Sequence, residues 1–292
     1  MSLDASDLVL CSGTLKREAT FRERVSAALA GGFSGLSLWA RDFRSALEGG
    51  LSKPDIRRML EDNGLEVAEI DLAWSWLPGA DRIMVPTELD EHELFCFEEA
   101  DLFAVAEAVG ARSLNAVDVF GGNWGLAAAA DSFGALCQRA ARHGLLVHIE
   151  FLPWSKIPDL QTAWDIVREA GEPNGGVAID SWHFFHQANG DRSNLDVLLD
   201  VPGDKVLSLQ LSDAPAGVEG DPSVASLHSR LLPGDGTLDL PKLLACARRV
   251  RASAPVGIEV FSDELHEMDP VEAGRRAGEA AHRLLGQPKT TS

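Results

Sequence analysis

Four apolar segments of this sequence each end in a residue with an oxygen-bearing side chain. LLVHIE ends at Glu150 and GGVAID at Asp180, while KVLSLQ ends at Gln210 and PVGIE at Glu259. A strand that only fills a core has no need to end in a carboxylate or an amide. Because such oxygens are the preferred ligands of hard divalent cations, the four side chains are candidate ligands of one metal ion.

These segments belong to a longer alternation of short apolar strands and amphipathic helices. Strands are predicted at 7–13, 33–40, 65–76, 113–120, 145–150, 175–180, 205–210 and 255–259. Helices are predicted at 20–32, 40–64, 91–109, 126–143, 158–171, 193–200, 239–254 and 270–286. Strands separated by helices pair in parallel through right-handed crossovers. The pattern therefore predicts the α/β class and a closed (β/α)8 TIM barrel.

An open doubly wound sheet is the alternative arrangement of such units. That fold usually carries a glycine-rich phosphate loop after its first strand, and the segment CSGTLKRE lacks the GxGxxG pattern. The length of 292 residues suits one barrel, because barrels of about 250 residues fold as a unit. We expect a single barrel domain over residues 1–286 and a disordered tail at 287–292.

The carboxyl ends of parallel barrel strands meet at one mouth, where the four candidate ligands are expected to converge. Three carboxylates at one place repel one another unless a cation lies between them. Oxygen ligands favour Mg or Mn, while Zn or Co remain possible. Such an ion polarises a bound carbonyl group and acidifies the neighbouring C–H, whose proton a carboxylate can then move.

Three short motifs accompany these strand ends. They are DxxH from Asp180 to His183, QxxD from Gln210 to Asp213, and Arg230 shortly before LPGDG. Their order resembles that of the xylose isomerase-like barrel superfamily, most clearly over the last four strands. This superfamily includes sugar isomerases, ketose 3-epimerases, inosose dehydratase, 3-dehydroshikimate dehydratase and endonuclease IV.

The resemblance implies specific roles for the residues that match its pattern. The four strand-end residues would hold the metal ion, and two of them, Glu150 and Glu259, would double as the acid/base pair. His183 and Arg230 would bind substrate oxygens. Endonuclease IV itself is not expected, because it uses several additional histidines and acts on a nucleic acid.

Two departures from the pattern argue against a plain sugar epimerase. Gln210 stands on the seventh strand, where ketose epimerases usually have histidine, and LQLSDAP is similar to the corresponding strand of 3-dehydroshikimate dehydratases. The second strand has Leu38 where many members have glutamate. Both differences weaken a plain sugar-epimerase assignment, and Gln210, together with the tryptophans near the strand ends, favours a cyclic substrate.

Aromatic and basic residues near the strand ends are further candidates for substrate binding. Trp154 is one of six tryptophans at or just after predicted strand ends, which suggests an apolar or ring-shaped pocket. Lys156 could bind a substrate carboxylate or stabilise an enolate, or could be an exposed lysine at a helix start. His148 is expected to be a hydrogen-bonded interior histidine beneath Glu150. Asp213 is expected either to orient His183 or the metal ligands, or to cap a helix.

Composition excludes several classes of partner. The formal net charge of −19, with scattered basic residues, argues against nucleic acid binding. No apolar run approaches the roughly 20 residues of a membrane helix. The N-terminus shows no signal-like segment, and the four cysteines lack paired spacing, which is typical of reduced thiols in a cytoplasmic protein. A homo-oligomer is compatible with the sequence.

The sequence thus predicts a metal-dependent enzyme that transfers a proton next to a carbonyl group of a small hydroxylated substrate. Isomerisation or epimerisation is the first expected outcome. Elimination of water by a dehydratase is the alternative, since both reactions use the same metal and bases. A non-catalytic, ligand-binding barrel is the alternative of a different class.

Overall fold

Eight short strands rich in aliphatic residues close into a barrel. The computed structural model describes residues 3–80, 83, 93–187, 193–218 and 220–286. The strands are β1 Leu8–Leu10, β2 Gly35–Trp39, β3 Glu66–Ala73, β4 Ser113–Val117, β5 Leu146–Glu150, β6 Gly175–Asp180, β7 Val206–Leu211 and β8 Val256–Ile258. Each strand pairs in parallel with its neighbours in sequence, and β1 pairs with β8. The predicted barrel is therefore confirmed, and the open sheet is wrong.

Helices connect the strands and cover the outside of the barrel. Those in the described part of the chain are α1 Phe21–Gly31, α2 Ala40–Glu48, α3 Lys53–Asp62, α4 Glu99–Val109, α5 Leu126–Ala141, α6 Leu160–Ala170, α7 Ser181–Phe185, α8 Asn194–Leu198, α9 Pro222–His228, α10 Leu240–Arg249, α11 Asp263–Glu267 and α12 Pro270–Leu285. Local sequence sets their starts. Thr20 caps α1 in a capping box with Glu23, and Ser52 does the same for α3 with Asp55.

Several elements differ from prediction in their extent, and three of these differences are the most informative. The helix predicted at 91–109 begins only at Glu99, because residues 93–98 form turns; residues 91 and 92 lie outside the described part. The helix predicted at 239–254 ends at Arg249. The loop predicted at 214–236 contains α9, which Asp221 caps and Pro222 starts. The predicted tail at 287–292 lies outside the described residues.

Alternation along the strands separates an apolar layer from a polar barrel interior. In β5, Val147 and Ile149 join the large hydrophobic core between barrel and helices, whereas His148 and Glu150 carry polar groups into the interior. Side chains of β3 and β7 meet across that interior. The strands therefore deliver polar groups to one buried space whose outer wall is hydrophobic.

Glycines allow α1 and α12 to pack closely. A β-carbon at position 278 would lie 2.0 Å from the carbonyl oxygen of Gly31, and one at position 274 would lie 2.4 Å from that of Ala27. These backbones therefore touch where larger residues would hold them apart. Nowhere in the described ranges does a helix have the length and apolar character needed to cross a membrane.

Candidate active site

Three possible metal-ligating groups converge at the carboxyl ends of β5 and β6. One ligand atom each from Glu150, Asp180 and His183 lies within 4.8 Å of the others, and all three residues are buried. The DxxH spacing has a local cause: Asp180 is the N-cap of α7, and its Oδ1 accepts a hydrogen bond from the backbone N–H of His183 at 3.0 Å. The cap places the histidine beside the strand-end carboxylates.

Gln210 lies in β7, and Glu259 directly follows β8. Gln210 pairs in register with Asp180, and the backbone N–H of Glu259 donates to the carbonyl oxygen of Leu211. Gln210 is 1% exposed; its Nε2 donates to Oε1 of Glu69 at 2.8 Å, while its Oε1 has no hydrogen-bond partner among the described residues. The amide oxygen is thus a buried acceptor available to a ligand.

Arg230 lies between two of the acids. Its Nη1 is 2.6 Å from Oδ2 of Asp180 and 3.5 Å from Oε2 of Glu259, and its Nη2 is 3.4 Å from Nε2 of His183. The guanidinium is also flanked by the rings of Trp182 and Phe261. In this arrangement Arg230 neutralises part of the acidic cluster.

Burial and nearby charges give the acids at the barrel mouth different pKa values. Burial alone would raise the pKa of Asp180, but the charges of Arg230 and His183 lower it to about 2. Burial and the nearby Glu150 carboxylate raise the pKa of Glu259 well above its usual value. One permanent cation, Arg230, therefore does not compensate the carboxylates around it, and a divalent cation fits this charge balance.

Sequence reasoning missed three residues of the site, namely Glu69, Asp71 and Asn115. Nδ2 of Asn115 donates to Oδ1 of Asp71 at 2.8 Å and to Oε2 of Glu150 at 2.6 Å, so the amide links the two carboxylates. Burial, together with the charges of Glu69 and Glu150, raises the pKa of Asp71 well above its usual value. The signal was present in EVAEIDLA, where Glu69 and Asp71 are two positions apart and so share one face of the strand.

A second polar layer lies beneath the mouth of the barrel. Nε2 of His148 is 3.1 Å from Oε2 of Glu69 and 3.2 Å from Oγ of Ser113. The expected hydrogen-bonded interior histidine is confirmed. Its carboxylate partner is Glu69 of β3, which the sequence did not indicate.

The other sequence candidates occupy the loops around the mouth. Trp154 is 38% exposed and packs edge-on against His183, with ring centroids 5.3 Å apart. Lys156 donates from Nζ to the carbonyl oxygens of Gly122 at 2.6 Å and Trp124 at 3.2 Å. Lys156 thus joins the loops after β4 and β5, and these contacts do not bring it to the carboxylates.

The carboxylate of Asp213 holds a loop, and its hydrogen bonds go neither to His183 nor to a helix N-terminus. Its carboxylate accepts backbone N–H groups from Ala214, Gly234 and Leu238 at 2.9 to 3.0 Å. It therefore holds the loop that contains LPGDG, instead of orienting His183 or capping a helix.

Comparison with known proteins places this barrel in a family. The model of the xylose isomerase-like TIM barrel matches residues 25–284. The chain belongs to this family. The resemblance seen in the strand-end motifs is thereby confirmed.

Curated relatives within the xylose isomerase-like family include two kinds of enzyme. A 3-dehydroshikimate dehydratase of Pseudomonas aeruginosa is 31% identical over 255 residues, covering 86% of this chain and 37% of that protein. An inosose isomerase of Bacillus velezensis is 26% identical over 157 residues, covering 52% of each. The chain thus spans about a third to a half of the length of these relatives.

A solved structure shows the same fold. A structure described as the IOLI protein with a binding zinc atom has a TM-score of 0.80 and 16% identity, and the match covers 98% of this chain and all of that one. At 16% identity, this likeness shows that the two chains share the barrel architecture, and it shows nothing further.

Proposed function

We propose that this chain is a divalent-metal-dependent enzyme that removes a proton next to a carbonyl group of a small, hydroxylated, cyclic substrate. The observation that carries the proposal is the group of ligand atoms from Glu150, Asp180 and His183 within 4.8 Å of one another. The unpartnered amide oxygen of Gln210 and the uncompensated charge around Glu259 support it. A core that served only stability would leave neither feature.

Glu150, Asp180, Gln210 and Glu259 would hold the ion, with His183 beside them. An oxygen-rich set favours Mg or Mn, and the nearby imidazole keeps Zn or Co as alternatives. When bound, the cation supplies Lewis acidity that polarises a substrate carbonyl.

The chain's own groups would move the proton and hold the substrate. Glu150 and Glu259 form the acid/base pair, one carboxylate taking the proton from carbon and the other returning a proton. Arg230 and His183 hold substrate oxygens, since a guanidinium offers several donors in a fixed geometry. Trp154 covers one side of the imidazole.

We infer that elimination of water is the favoured outcome. After the proton leaves carbon, the β-hydroxyl group departs as water with a proton from the acid, and a C=C bond conjugated to the carbonyl forms. The relative named a 3-dehydroshikimate dehydratase, matched over 86% of the chain, supports this choice over the isomerisation that the sequence alone placed first. Isomerisation stays the second candidate because inosose isomerases also match.

The test follows metal dependence and product together. Metal-free protein, prepared with EDTA, receives Mn, Mg, Co or Zn in D2O with 3-dehydroshikimate, inososes and ketoses. Dehydration appears as a new conjugated absorbance, whereas isomerisation appears as deuterium in carbon without loss of water. Ligand binding with neither change, and with no effect of metal, would replace the enzyme proposal by a non-catalytic barrel.

A further inference from the structure

Glu69 and Gln210 make a contact that crosses the barrel. Glu69 lies within β3 and Gln210 within β7, which are opposite strands of the closed eight-stranded barrel. Oε1 of Glu69 is 2.8 Å from Nε2 of Gln210, and Glu69 is only 2% exposed. The contact joins residues 141 positions apart, so only the closed fold creates it.

The partners of Glu69 make it an acceptor for Gln210. Ser208 donates to Oε2 at 2.9 Å, and Nε2 of His148 lies 3.1 Å from the same oxygen. Both of these groups approach Oε2, which leaves Oε1 to Gln210, and neither of them requires a proton on Glu69. A carboxylate that only accepts must face an N–H of the Gln210 side chain.

This chemistry decides which way the Gln210 amide faces. If the amide were turned over, its oxygen would face the Glu69 carboxylate and a hydrogen bond would become a repulsion between lone pairs. In the observed orientation the nitrogen faces Glu69, and Oε1 is left buried without a partner among the described residues. An unpaired buried acceptor is costly unless a ligand satisfies it.

We infer that Glu69 is a positioning residue that fixes the Gln210 side chain with its oxygen, and not its nitrogen, presented for metal binding. This inference rests on the proposed function, because it assigns a role to the neighbour of a proposed ligand. Glu69 does not itself bind the ion, since both of its oxygens already accept hydrogen bonds. Through its hydrogen bond, Glu69 determines which atom of the Gln210 amide faces the ion.

The decisive variants exchange the carboxylate and the amide. In Glu69→Gln, the amide oxygen at position 69 can accept from Ser208 and His148 only if the amide N–H groups at position 69 face Gln210. The Gln210 amide must then turn its oxygen toward position 69 and away from the ion. We expect the Mn²⁺ affinity to fall roughly 10- to 100-fold, the usual effect of losing a partner that orients a ligand. Adding Gln210→Glu should restore the affinity, because a carboxylate at 210 offers oxygen in either orientation.

Calorimetric titration of Mn²⁺ into the metal-free protein measures the effect independently of turnover, and circular dichroism reports folding. Ser208→Ala is the matched control: it removes a different donor to Glu69 and should keep the wild-type affinity. Wild-type affinity in Glu69→Gln, or no recovery in the double variant, would overturn the inference while leaving the proposed function intact. If Glu69→Gln does not fold, the double variant decides: Mn²⁺ binding with wild-type affinity supports the inference, and failure to bind Mn²⁺ contradicts it. A wild-type protein that binds no divalent metal would overturn both proposals.

Discussion

At the scale of single residues, the acids at the barrel mouth are not equivalent. Arg230, 2.6 Å away, keeps the pKa of Asp180 low, whereas burial and the charge of Glu150 raise the pKa of Glu259, which retains its proton to higher pH. Asp180 in its ionised form suits a metal ligand, whereas a carboxyl group that keeps its proton, such as Glu259, suits the acid of the proposed pair. The same local charges also determine how the protein responds to substitution and to pH.

Replacing either proposed acid/base residue should strongly reduce turnover without unfolding the protein. Glu150→Gln keeps an acceptor for Asn115, and Glu259→Gln keeps the size of the side chain. We expect turnover to fall roughly 10²- to 10⁴-fold in each, the usual contribution of a positioned acid or base. Steady-state rates with saturating metal measure the effect. Glu61→Gln, at an exposed position on α3, should retain full activity; equal rates in all variants would remove the assignment.

Asp71 should make the metal-free protein less stable as pH rises. Its folded pKa lies above the ordinary value of 3.8, so the folded state binds the proton more tightly than the unfolded state. The free energy of unfolding therefore falls as pH rises from that ordinary value through the folded pKa. Asp71→Asn lacks this group and still accepts from Asn115, so its stability relative to wild type should increase with pH.

Urea unfolding from about pH 4 to about pH 8 measures this difference. Asp165→Asn, on the outer helix α6, should follow the wild-type profile. If the curves of Asp71→Asn and wild type stay parallel, Asp71 does not carry the proposed destabilising charge.

At the scale of elements, the strand order and the mouth residues could be predicted from the sequence, because each strand is a short apolar run with its own terminal signal. The interior partners could not be predicted as easily. Glu69 meets Gln210 only after the barrel closes, and no local pattern encodes a contact across 141 positions. The start of α4 was also missed, since an acidic stretch before a helix looks like its first turn.

The contact between α1 and α12 depends on glycine. In Gly278→Ala, the added carbon meets the backbone of Gly31, which cannot rotate away as a side chain can. We expect the free energy of unfolding to fall by about 1–3 kcal/mol despite the better helix propensity of alanine. Gly134→Ala in α5 is the matched control, because its new carbon would have only ordinary contacts at 3.8 Å. Urea unfolding should show this control to be stabilised, and a similar gain in Gly278→Ala would contradict the close packing.

At the scale of the whole molecule, the acid-rich barrel mouth is one part of a strongly acidic protein. The net charge of −19 attracts cations to the entire surface, so metal binding alone is not specific to the site. Specific binding must depend on the strand-end carboxylates and must stabilise the folded state.

Adding Mn²⁺ should therefore raise the melting temperature of the metal-free wild-type protein. An ion present at 100 times its dissociation constant stabilises the folded state by about 2.7 kcal/mol. Thermal unfolding monitored by circular dichroism should show this shift in wild type and in Glu61→Gln, but largely not in Glu150→Gln. Equal shifts in all three proteins would mean that the surface charge binds the ion.

The hydrogen bonds made by Asp213 have a practical consequence for exchanging loops between relatives. Its backbone pairs with that of Leu231 while its carboxylate grips Gly234 and Leu238, and Arg230 begins the same segment. These hydrogen bonds hold the segment that begins with Arg230, so the arginine would keep its position if a neighbouring acid were removed. A chimera that imports segment 230–238 must therefore also import Asp213, because without this aspartate the segment that positions the guanidinium of Arg230 loses its hydrogen bonds.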